Sequence, residues 1–149
     1  MTARHHTNPA LVGIVALGGA VGSAARYGVS HALPPQDGLP VGTLVENLVG
    51  AFLLGLLLES LLRAGPEDAT RRRLRLGLGT GVLGGFTTYS ALALEVQRLW
   101  AGGDVPLAVG YGLGTVVLGF LTASLGIVVG ARRAARAAAL AGPTDGDER

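Results

Sequence analysis

Gly84-Gly85-Phe86-Thr87-Thr88-Tyr89-Ser90 places two glycines and a run of hydroxyls inside a segment otherwise apolar enough to cross a membrane. Irregular backbone at membrane depth survives only where it is buried in protein or lines a polar cavity, because hydrocarbon offers no partner for a freed amide or carbonyl. This heptad therefore predicts a break in a transmembrane helix and marks the place to look for an ion site or pathway.

The rest of the chain supports a membrane setting. Apolar residues make up 49% of the 149 residues and charged residues 15%, whereas a soluble domain carries about 25% charge. The mean hydropathy is +0.48. Outward from the heptad, four segments reach the roughly 20 apolar residues that a spanning helix needs: Ala10 to Leu33, Val41 to Leu62, Leu74 to Trp100 and Val105 to Gly130. Pro34-Pro35-Gln36-Asp37-Gly38 and Ala101-Gly102-Gly103-Asp104 are short turns suited to antiparallel hairpins, and Gly65-Pro66-Glu67-Asp68 opens a longer polar loop. The expected fold is an all-α membrane protein with four transmembrane helices and a break in the third. Residues 1–9 form a polar cytoplasmic arm, 10–132 the membrane domain and 133–149 a polar disordered tail.

No cysteine is present, so disulfides and thiolate metal sites are excluded. His5 and His6 sit in the polar arm, which has no apolar core before a cleavage site and so does not read as a secretory signal. Arg4, Arg63, Arg71, Arg72, Arg73, Arg75, Arg132, Arg133 and Arg136 fall on one side of the predicted topology, and Arg98 falls on the other. Positive residues near spans stay cytoplasmic, so both termini are expected in the cytoplasm. Because these arginines flank spans, topology accounts for them and nucleic-acid binding is not required.

Glycines at 18, 19 and 22, at 50 and 55, and at 77, 81 and 85 give helix faces on which backbones can approach closely. Polar residues within spans are more selective, since they need partners and commonly mark pathways. Thr43 and Asn47 share a helix face, as do Tyr111 and Thr115. A single hydroxyl is usually satisfied by the preceding turn of its own helix. The Asn47 amide has no such local solution, so function is favoured for it. Hydroxyl and amide donors with little fixed charge suit a small hydrated anion, whereas a cation path would carry rings of Asp or Glu.

Three stretches, Gly18-Gly19-Ala20-Val21-Gly22-Ser23-Ala24-Ala25-Arg26-Tyr27, Gly42-Thr43-Leu44-Val45-Glu46-Asn47-Leu48-Val49-Gly50 and the Gly84 to Ser90 heptad, resemble in order the signatures of the Fluc (CrcB) fluoride channels. The resemblance implies a passive fluoride channel of the bacterial plasma membrane that relieves fluoride toxicity, built as an antiparallel dimer with a structural sodium ion at its centre. Carried onto this chain, the backbone carbonyls of Gly84 and Thr87 would ligate sodium. Asn47, Thr43, Tyr89, Ser90, Tyr111 and Thr115 would line the fluoride pore, and Arg26 would be a vestibule or interface residue.

Three positions depart from the family pattern. Tyr89 and Leu92 stand where two phenylalanines are usual, and leucine has no aromatic edge to offer an anion. Gly119 replaces an expected hydroxyl. Glu46 replaces an aliphatic residue, and a buried carboxylate there must be protonated or paired, for example with an arginine of a partner subunit. An antiparallel homodimer must insert in both orientations, which needs balanced loop charge. The arginine bias and the missing aromatic together lead to an expected heterodimer with an oppositely oriented homologue. Two other readings are a proton-coupled small four-helix exporter with Glu46 as the titrating group, and a non-conducting structural subunit. No nucleophile and base pair, metal-ligand cluster or phosphate loop supports an enzyme.

Overall fold

Helix formation follows the apolar segments closely. A computed structural model describes residues 8–141. Helix α1 spans Pro9–Ala32, opened by Asn8, whose side chain accepts the Ala10 N–H at 3.0 Å, and by Pro at the first helical position. Helix α2 spans Val41–Arg63. Between them Gln36 and Leu39 exchange backbone hydrogen bonds of 3.0 and 2.8 Å. Asp37 and Gly38 turn the chain at φ values of 48° and 83°, the left-handed pair that a two-residue reversal requires.

The third segment is not one continuous helix. It begins at α3, Ala69–Leu74, capped by Asp68, then widens into a π-helical stretch, Arg75–Leu83. A short α4, Gly84–Phe86, ends in extended backbone at Thr87 and Thr88, and α5 runs Tyr89–Ala101. The break thus falls inside the heptad. Gly77, Gly79 and Gly81 lie in the widened stretch, where no Cβ resists looser winding.

Helix α6 spans Val105–Ala141. This corrects the expected tail: residues 133–141 are helical, because Ala-rich sequence is the best helix former and the arginines at 132, 133 and 136 do not interrupt it. At 37 residues, α6 is about 55 Å long, well beyond the ~30 Å hydrocarbon core. The remaining arm and tail residues, 1–7 and 142–149, lie outside the described residues.

Three helices, α1, α2 and α6, are long and apolar enough to cross a membrane. The pieces of the third segment are each too short to be counted with them; the longest, α5, has 13 residues. Helix α2 packs chiefly along α6, while α1 packs on the π-helical stretch and α4. Close approach is enforced at Gly22, where an added methyl would run into the Val82 carbonyl. The interior is small and notably polar: Thr43, Glu46, Thr88 and Thr115 are buried alongside Leu83, Leu92, Ala108 and Tyr111. Large apolar side chains such as Leu17, Val21, Leu113, Val116 and Phe120 point outward.

Candidate functional site

Two adjacent polar clusters occupy the middle and one end of the bundle. The first is built on the helix break. In a continuous helix the Thr88 N–H would bond the Gly84 carbonyl; here it donates to Asn47 Oδ1 at 2.8 Å. The same amide returns a bond, Asn47 Nδ2 donating to the Thr88 carbonyl at 3.0 Å. The Ala91 N–H, which would have served the Thr87 carbonyl, goes to Thr88 Oγ1 at 3.1 Å as the N-cap of α5. Both candidate sodium ligands have therefore lost their helical donors.

Arg26 reaches the same break from α1. Its Nε donates at 3.2 Å to the carbonyl of Gly85, another oxygen released by the missing turn. Arg26 is thereby a backbone partner of α4. Thr88 Oγ1 and Ser90 Oγ stand 3.3 Å apart. A shallow groove beside the break is lined by Asn47, Gly50, Leu83, Gly84 and Thr87 among others, and Gly84 is exposed on it.

The second cluster is centred on Glu95. Thr43 Oγ1 donates to Glu95 Oε1 and Tyr111 Oη to Glu95 Oε2, both at 2.6 Å. Thr115 Oγ1 donates to the Tyr111 carbonyl at 2.7 Å, the local bond expected of a hydroxyl in a span. Glu95 also lines a crevice with Pro35, Gly38, Arg98, Gly102 and Asp104 at the end of the bundle carrying the short turns. At the opposite end Leu62, Arg71, Arg75 and Ile127 line another groove, so the arginine-rich and arginine-poor ends predicted from the sequence are spatially separate.

The predicted pore residues thus divide. Asn47 and Ser90 gather at the break, Thr43 and Tyr111 meet on Glu95, and Thr115 bonds only the Tyr111 carbonyl. Tyr89 joins neither: it is 81% exposed and points away from its own bundle. Leu92 turns inward and is buried. Glu46 is fully enclosed at 0% exposure within its own chain. Its Oε1 accepts from Ser30 Oγ at 2.6 Å.

Sequence reasoning gave no role to Glu95, Thr88 or Ser30. Glu95 carried a signal, being an acid inside an apolar span. Thr88 was marked only as part of the heptad, and Ser30 carried no signal beyond an ordinary hydroxyl.

A family model described as "CrcB-like protein, Camphor Resistance (CrcB)" matches residues 13–127, which include both clusters. Among curated proteins, the chain is 50% identical over 116 residues to the fluoride-specific ion channel FluC 1 of Cutibacterium acnes, covering 77% of this chain and 81% of that one. It is 47% identical over 119 residues to the fluoride-specific ion channel FluC of Paracoccus denitrificans, covering 78% and 90%. It is 44% identical over 119 residues to a fluoride-specific ion channel FluC of Thermus thermophilus, covering 78% and 91%. With three membrane-length apolar helices and this match, the chain is a multi-pass membrane protein that belongs to the CrcB, or Fluc, family, a family of ion channels and not of enzymes.

Proposed function

We propose that this chain is a subunit of a fluoride-selective passive channel in the bacterial plasma membrane, carrying fluoride outward and so relieving its toxicity. The observation that carries the reading is the Asn47 amide at the break. It has two N–H donors, one is committed to the Thr88 carbonyl, and the residue lines the groove beside the break. The second donor is available to an anion that has shed part of its water. Ser90 extends the polar track beside it, while the Thr43, Tyr111 and Thr115 hydroxyls, already donated to Glu95 and to the Tyr111 carbonyl, would serve as polar lining. Tyr89 contributes to a pore only where a second subunit faces it.

The donor set at the break also fits a sodium ion. The carbonyls of Gly84 and Thr87 have lost their helical partners, and oxygen ligands suit a hard cation. When bound, sodium would supply positive charge that ties two subunits together. Arg26 fixes the adjacent carbonyl and so holds the break in shape.

Exposure supports a dimer. Thr80, Gly84, Tyr89 and Ser90 all face outward around non-helical backbone, a surface that hydrocarbon does not tolerate and a partner would cover. The arginine-rich end, placed in the cytoplasm with both termini, favours one orientation and hence an oppositely oriented homologue over a second copy. A proton-coupled exporter is disfavoured, since Glu46 is sealed from any substrate cavity.

The test is ion efflux from liposomes containing this subunit alone and together with a homologous subunit from the same genome, with chloride followed in parallel. Fluoride efflux with chloride retained supports the channel; equal release of both ions, or of neither in either preparation, refutes it. Equal populations of both orientations in a cellular topology assay would remove the heterodimer.

A further inference from the structure

The groove at the arginine-rich end has a volume of about 460 Å³, inside the roughly 300–1,000 Å³ range of small-molecule sites. Two kinds of surface meet in it. Leu58 and Leu62 of α2 and Ile127 of α6 give it an apolar wall, and Arg71 and Arg75 of the third segment supply its cationic part. The chain itself leaves both leucines open, at 43% and 74% exposure.

The arginines are held in place without being used up. Arg75 Nε donates to Glu67 Oε1 at 2.7 Å, and Arg71 Nη1 donates to the Pro66 carbonyl. Each guanidinium has five N–H donors, and neither makes a further hydrogen bond among the described residues. The two acids lining the groove are already matched, Glu59 by Arg63 and Glu67 by Arg75. Between residues 59 and 75 five arginines stand against three acids, and Arg72 and Arg73 enter no ion pair among the described residues. This end therefore keeps an excess of positive charge.

An inorganic anion gains nothing from the leucines, and a neutral hydrocarbon gains nothing from the arginines. An amphiphile uses both, with its chain against α2 and α6 and its phosphate at guanidinium groups, whose planar forks bind phosphate in bidentate fashion. The position agrees with such an occupant. Helix α2 ends at Arg63, so the groove runs from the last apolar turns of a span into the polar loop that follows it. Basic pockets between spanning helices at this level suit anionic lipid headgroups.

We propose that this groove binds one anionic glycerophospholipid, with an acyl chain along Leu58, Leu62 and Ile127 and the phosphate held by Arg71 and Arg75. The bound lipid ties the end of α2 to α3, the start of the segment that leads into the break. The inference rests on the membrane setting and not on fluoride conduction.

Native mass spectrometry of the assembled full chain tests it, with phosphatidylglycerol, phosphatidylcholine and glycerol 3-phosphate as probes. One phosphatidylglycerol per chain should be retained, at least about tenfold in preference to phosphatidylcholine. Arg71→Gln with Arg75→Gln should remove that preference. Arg132→Gln with Arg133→Gln, an equal loss of charge at residues that do not line the groove, should leave it intact. Leu58→Trp fills the apolar wall, keeps both arginines and should abolish retention. Equal retention of the two lipids, or equal effects of the two double variants, would assign the binding to bulk lipid or diffuse charge and overturn the proposal. Displacement of the lipid by glycerol 3-phosphate, which has the phosphate without the chains, would also overturn it, as would an assembled protein that keeps no lipid because its partner subunit covers the groove. If Arg71→Gln with Arg75→Gln does not assemble, Leu58→Trp decides: loss of phosphatidylglycerol supports the site, and undiminished retention overturns it. Selective lipid retention in a protein silent to fluoride would count against the channel reading and leave the lipid site standing.

Discussion

Asn47 and Thr88 form a closed pair, the asparagine amide accepting the Thr88 N–H at 2.8 Å and donating to the Thr88 carbonyl at 3.0 Å. A side chain on α2 thereby replaces a backbone turn missing from the third segment, 41 residues away in sequence. The residue that the pore reading puts against fluoride is also the one that holds the break open, so its variants must separate the two roles.

Asn47→Ala leaves the Thr88 N–H without its acceptor, a loss of about 1–3 kcal/mol for a buried donor. Hydrogen exchange of the Thr88 amide should accelerate. Asn47→Asp keeps an acceptor but removes both N–H donors, so the Thr88 amide should stay protected while fluoride efflux falls at least about tenfold, the equivalent of ~1.4 kcal/mol. Unchanged Thr88 exchange in Asn47→Ala would contradict the pairing.

Arg26 serves the break by a directional bond from Nε to the Gly85 carbonyl. Lysine preserves the charge but has no such donor geometry. Arg26→Lys and Arg26→Gln are therefore both expected to lower sodium-dependent dimer formation, measured by crosslinking in sodium against a large organic cation. Full recovery with lysine would assign Arg26 a purely electrostatic role.

Much of this arrangement was legible in the sequence, and the reason differs by element. Apolar length and the Pro-Gly punctuation placed α1 and α2 to within a residue at each end. Gly84-Gly85 followed by Thr87-Thr88 located the break because both ingredients, a permissive backbone and local capping hydroxyls, are written in adjacent positions. The π-helical winding of Arg75–Leu83 was not legible, since widened turns have no apolar period of their own. Nor was the helical end of α6, where three arginines read as a boundary although alanine carries the helix on. The Thr43–Glu95 bond joins residues 52 apart; nothing in local spacing announces such a pairing.

Asp68 offers a pH test outside the membrane. Its carboxylate lies below the ordinary value of 3.8 chiefly because it accepts the Arg71 backbone N–H, and the nearby Arg71 charge acts the same way. A depressed folded value means that the cap's contribution is complete above the unfolded value and is lost as pH falls through the folded one. Protection of the Arg71 amide, corrected for intrinsic exchange, should therefore decline only in strongly acidic solution. Asp68→Asn, a neutral cap, should abolish that dependence; an identical acid decline in this variant would assign it to another group.

Gly22 and Gly19 lie on the same helix but face different surroundings. A methyl at Gly22 would meet the Val82 carbonyl, which belongs to the backbone and cannot rotate aside, whereas a methyl at Gly19 meets nothing within 4 Å. Overpacking of this kind costs about 1–3 kcal/mol, while a substitution that touches nothing stays within about 0.5 kcal/mol. Gly22→Ala should accordingly lower the thermal midpoint in detergent and displace α1 from the π-helical stretch and α4, taking Arg26 away from Gly85. Gly19→Ala should do neither in the isolated subunit. If it destabilises only the assembled dimer, the Gly19 face belongs to the subunit interface; if it destabilises the monomer as much as Gly22→Ala does, the packing of α1 described above is incorrect.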